Sequence, residues 1–125
     1  MNILEDSLSI ETKIETLRDL ENLRGFLSSF REINSQIIWE HEKEHYDMGV
    51  ELGYQLYFTG CYQLIDGCMK RFIYAKVSSD YEIPLEDKLK IASAPTVLSE
   101  GDKKVIRELK KQIFLNKLFR LFKLK

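Results

Sequence analysis

The chain is poor in the residues that break, staple or coordinate: two prolines, two cysteines, two histidines and one tryptophan in 125 residues. Both prolines, Pro84 and Pro95, lie between Lys76 and Gly101. Elsewhere glycine alone interrupts a helix. Cys61 and Cys68 are seven residues apart in what reads as a helix, about 10 Å along its axis. That is too far for a disulfide, so both read as reduced, buried core thiols rather than nucleophiles. The start, Met1-Asn2-Ile3-Leu4-Glu5-Asp6, is acidic and lacks the apolar core of a secretory leader. No uncharged apolar stretch approaches the ~18 residues of a membrane span. The expected location is cytoplasmic, with peripheral membrane attachment left open. No G-K-[ST] or G-x-G loop is present to cradle phosphate. A formal net charge of −1 excludes a polyanion binder built on overall charge.

Apolar residues make up 44% and charged residues 31%, the balance of a folded globular chain, and the length suits one domain over 1–125. Ile10, Ile14, Leu17, Leu20, Leu23, Leu27, Phe30, Ile33 and Ile37 recur every three or four residues, which predicts helix capped by Ser7 or Ser9, with a break near Gly25. From Tyr46 to Tyr74 the chain is apolar nearly all round, the pattern of a buried central helix. Gly53, Gly60 and Gly67 recur every seven residues within it and would form a packing groove. An unbroken helix from Phe26 to Lys76 would run about 75 Å, so a turn is expected, with Gly49 or Gly53 as the alternative helix end. Val77 to Glu82 reads as a loop and Pro84 to Ala92 as a short helix. Ser99 followed by Asp102 opens a last helix. With no clear strand alternation, the expected fold is all-α: a small bundle of about four main helices with a basic amphipathic C-terminal helix.

Both histidines stand in His41-Glu42-Lys43-Glu44-His45, which fits H-E-x-x-H. That spacing puts two imidazoles on one helix face to hold zinc, with Glu42 activating a water. Glu42 to His45 also fits the E-x-x-H half-motif of di-iron bundles, but no histidine remains for the second half. Glu40, Lys43, Glu44 and Asp47 make the surroundings more charged than a buried zinc helix requires. A third ligand would have to come from a carboxylate such as Glu51 or Asp66, and no spacing selects one. The plainer reading is a polar helix surface with two solvated or edge-packed histidines.

Charge is unevenly spread: Glu100 to Lys125 holds nine Lys/Arg against three Asp/Glu, a net +6, and the rest of the chain carries −7. In the first half of the last helix Val105, Ile106, Leu109 and Ile113 share a face. In the second half Phe114, Leu115, Leu118, Phe119, Leu121 and Phe122 form an apolar face, and Lys117, Arg120 and Lys123 a basic one. At about 100° per residue the two apolar faces point in nearly opposite directions. The end of the helix (114–125) is then expected either to kink near Gln112 and cover its own domain or to project and bind a protein partner, a second copy or an anionic membrane. Nucleic acid fits poorly, because the basic residues lie among large apolar ones and no reading module is evident. Tyr54, Tyr57 and Tyr62 are expected in the core with hydroxyls at its rim, and Asp66 is expected to pair with Lys70.

The expectation drawn from these features is a non-enzymatic helical interaction or regulatory module of bacterial or phage type. It would act through self-association or a protein partner, with no catalytic residue and no cofactor. The alternative is a zinc-dependent hydrolase centred on His41, Glu42 and His45, and the second alternative is peripheral membrane attachment through the C-terminal helix.

Overall fold

A computed structural model describes residues 9–123. The fold is mixed rather than all-α: β1 (Ile10–Leu17), α1 (Leu20–Ser28), α2 (Ser35–Glu51), β2 (Tyr57–Ile65), β3 (Met69–Ser78), α3 (Leu85–Ala92) and α4 (Glu100–Lys123). The three strands form one antiparallel sheet in the order β1-β2-β3, which overturns both the all-α expectation and the helical bundle. Two compact units result. Among the described residues, one holds 9–40 with Tyr57–Ser78, the other His41–Leu56 with 79–123. The expected caps Ser7 and Ser9 do not apply: Ser7 lies outside the described residues and Ser9 precedes a strand.

Three local causes displace helix from the first unit. Ile10, Thr12, Ile14 and Thr16 put β-branched residues at every second position, and branching at Cβ favours the pleated backbone. β1 then pairs with β2 over its whole length, Ile14 opposite Cys61 and Leu17 opposite Phe58. At the other edge of β2, Asp66 (φ 54°) and Gly67 (φ 74°) take left-handed backbone, and Cys68 N–H donates to Ile65 O at 3.2 Å. This tight turn makes β2 and β3 a hairpin, and at Cys61/Tyr62 the register slips, leaving Ile73 as the extra residue. Asp66 bonds not Lys70 but Ser9: its N–H donates to Ser9 O (2.8 Å) and its Oδ1 accepts from Ser9 N (3.0 Å).

α1 starts at Asp19, whose carboxylate accepts from Asn22 N at 2.8 Å, and runs through Gly25 without a break. Its buried face, Leu23, Phe26 and Leu27, meets Leu17 and Phe58 in the core of this unit. Phe26 and Phe30 stack edge-on at 5.0 Å, and each also meets the rings of Tyr62 and Phe72. The seven-residue glycine spacing is therefore no helix groove. Gly60 is a strand residue against the Phe26 ring, where a Cβ would come within 2.6 Å. The thiols also part company, Cys61 buried on β2 and Cys68 exposed in the turn.

In the second unit α2 ends where one expected alternative puts it. Gly53 (φ 93°) takes the left-handed conformation, its N–H donates to Val50 O (2.9 Å), and Tyr54 N–H donates to Gly49 O (3.0 Å). Those two bonds satisfy the last carbonyls of the helix. α3 begins after Pro84, and α4 runs without interruption through Gln112.

Candidate metal centre

The face of α2 that turns into the second unit carries Glu42, His45 and Gly49, all buried. His41 stands one turn before His45, the two ring centroids 4.9 Å apart and nearly perpendicular. At 100° per residue Glu40, Lys43 and Asp47 lie on the opposite side of the helix, where Glu40 accepts from Gln36 and Lys43 pairs with Asp47. The charged surroundings that weigh against a metal site in the sequence thus sit on the solvent side.

The carboxylate that faces the histidines is neither Glu51 nor Asp66. Glu51 is exposed at the end of α2, and Asp66 is in the hairpin turn of the other unit. It is Asp102, whose Oδ2 lies 2.8 Å from His41 Nε2 and whose Oδ1 lies 3.2 Å from His45 Nε2. Local chemistry fixes it there. Ser99 Oγ accepts from Asp102 N–H (3.0 Å) and Ser99 N–H donates to Asp102 Oδ2 (3.1 Å), the reciprocal cap expected at the start of α4. The loop before the cap is tied back to α2, because Glu44 accepts from the Thr96 amide and from its hydroxyl. A residue that the sequence marks only as a helix cap is therefore also the acid facing both imidazoles.

Asp102 sits under opposing influences. Burial favours its neutral form, but the Ser99 amide, the charge of His45, the Ser99 hydroxyl and the charge of His41 outweigh that and hold its carboxyl below the ordinary 3.8. His45 is held from both sides: Nδ1 is 2.7 Å from Ile91 O, a carbonyl at the end of α3, while Nε2 faces Asp102. Both of these partners are acceptors only. A neutral imidazole carries one N–H and can satisfy one of them. Asp102 also accepts from the Ser99 amide, and the Ile91 carbonyl from the Ala94 amide.

Asp102 stands at hydrogen-bond distance from both rings, 2.8 Å through Oδ2 and 3.2 Å through Oδ1, nearer than the about 3.3 Å between tetrahedral zinc ligands. His41, Glu42 and His45 each bring a donor atom within 4.8 Å of the others. Glu42 Oε2 is 4.0 Å from His41 Nε2, outside hydrogen-bond reach but at the edge of the cluster. The Nδ1–H to carbonyl bond of His45 is the outer-shell contact that commonly orients a metal-bound imidazole.

The other expected site residues lie at the far end of α4. Asp102, Ile106, Leu109 and Ile113 form its inward stripe, and every described residue after Ile113 is exposed. Phe114, Leu115, Leu118, Phe119, Leu121 and Phe122 are all exposed, from 38% at Leu118 to 66% at Phe122. Among the described residues no helix is long and apolar enough to cross a membrane. Leu124 and Lys125 lie outside the described residues. Comparison of the chain with protein-family models, curated proteins and solved structures finds no match.

Proposed function

We propose that this chain is a metal-dependent hydrolase that holds one divalent cation, zinc by ligand type, between His41, His45 and Asp102. One observation carries the reading: His41, Glu42 and His45 bring donor atoms within 4.8 Å of one another and Asp102 faces both Nε2 atoms, while His45 Nδ1 is committed to a carbonyl. Two imidazoles and one carboxylate match the ligand set of catalytic zinc sites, which leave a fourth position open. A cation held there would supply activation of a water. Glu42, next to His41 on the same helix, would be the group suited to take its proton, as in other H-E-x-x-H helices. The Ile91 carbonyl keeps the His45 ring oriented.

The test separates binding from chemistry. Protein purified without chelator should carry close to one zinc per chain, and His41→Ala should lose it. Glu42→Gln should keep the metal and lose turnover on a panel of peptide and ester substrates. Absence of metal in both proteins, with no zinc uptake on titration, would overturn the reading.

A second reading, in which the chain works through a surface instead of a reaction, is favoured by the exposed apolar end of α4. The two do not exclude each other.

A further inference from the structure

We propose that the C-terminal half of α4 is a docking face for an anionic lipid surface. This inference is independent of the metal centre. The inward stripe of α4 changes character after Ile113: its continuation is Asn116, Lys117 and Arg120, which together with Leu85 and Glu86 of α3 line a shallow recess. The helix therefore turns its polar side toward α3. Its apolar side is left exposed.

The outward face has the layout of an interfacial helix. At about 100° per residue, Leu121, Phe114, Leu118, Phe122, Leu115 and Phe119 fill one continuous arc of roughly 160°. Lys117 stands about 40° beyond one edge of that arc and Lys123 about 40° beyond the other. Flanking lysines of this kind lay their methylene stems along the apolar face and carry their ammonium groups to headgroup level. Lys123 Nζ already lies 5.6 Å from the centre of the Phe119 ring. Three of the six apolar residues are phenylalanine, and no acid occurs after Glu108.

Charge selects the occupant. If two copies paired through this face, both would bring Lys117 and Lys123 to the rim of one interface without an acid to meet them. An anionic bilayer offers the opposite charge along the whole rim. The short segment gives weak, reversible attachment that salt weakens.

The experiment is co-sedimentation of the full chain with phosphatidylcholine vesicles, with and without phosphatidylserine, alongside the mass in solution by light scattering. Roughly tenfold more protein should sediment with the anionic vesicles at low salt, and raised salt should release it. The double variant Phe119→Glu, Phe122→Glu should abolish sedimentation. Both positions are exposed, so its helix content and melting temperature should match the parent. Two results would overturn the proposal: no sedimentation with anionic vesicles, or an oligomer in lipid-free solution that the same variant converts to monomer, which would assign the face to a second copy.

Discussion

His45 and Asp102, on different helices and far apart in sequence, meet at 3.2 Å through Nε2 and Oδ1 while the other ring nitrogen of His45 is held by the Ile91 carbonyl at 2.7 Å. A neutral imidazole can donate to only one of the two, while Asp102 also accepts from the Ser99 amide and the Ile91 carbonyl from the Ala94 amide. The proposed cation would sit at Nε2, on the side of the ring that faces Asp102.

Ser99 keeps Asp102 in place through its hydroxyl and its amide. Ser99→Ala removes the hydroxyl half of this cap. Chemical denaturation should show a loss of about 0.5–2 kcal/mol. Loosening the carboxylate should also weaken zinc binding about 10- to 100-fold, read by competition with a chelating dye. A stability loss with unchanged zinc affinity would make the cap purely structural.

Acid should act on the metal-free protein through Asp102. Its carboxyl lies below the ordinary 3.8 in the folded chain, so the folded state favours the ionised form. That contribution is present above pH 3.8, falls as pH drops through the lower folded value, and is absent below it. Measured by urea denaturation, the stability gap between the parent and Asp102→Asn should therefore shrink as pH falls below 3.8.

Tyr54 donates its hydroxyl to Asp87, and this bond, with burial and the Asp87 charge behind it, pushes its pKa up to about 12 from 10.0. The sign is opposite to that of Asp102. The bond stabilises the fold below pH 10 and is lost as pH rises toward 12. Absorbance titration should show a late tyrosinate step, which Tyr54→Phe removes.

Two glycines should respond in opposite directions. Gly60→Ala drives a methyl into the Phe26 ring, which is packed among Phe30, Tyr62 and Phe72, and overpacking of this kind costs about 1–3 kcal/mol. Gly25 is exposed inside α1 with nothing near its missing Cβ, so Gly25→Ala should raise stability by about 0.4–1 kcal/mol. Thermal melts of the two variants check both signs.

The elements with strong end signals were legible in the sequence. Pro84 marks the start of α3, Ser99 and Asp102 mark that of α4, and the opposed faces of α4 follow from residue spacing. The sheet was obscured for physical reasons. Ile10, Ile14 and Leu17 satisfy a three-or-four spacing as well as their β-branched neighbours satisfy a two-residue one, and β1 is an edge strand without a continuous buried face. β2 is buried or half-buried throughout, so it shows an apolar run rather than alternation. Asp66-Gly67 was the readable hairpin signal, hidden by the glycine periodicity around it. In the candidate site, His41 and His45 were visible from spacing alone. Asp102 was visible only as a cap, because its meeting with the histidines depends on the loop that Glu44 ties to α2.

The central claim is tested most directly by isothermal titration of zinc into chelator-treated protein at neutral pH, beside the Asp102→Ala and His45→Ala variants. The account predicts one tight site per chain in the parent and loss of that site in both variants. A parent that takes up no zinc, or variants that bind it as tightly, would contradict the metal centre and leave His41, His45 and Asp102 as a structural ion-pair cluster.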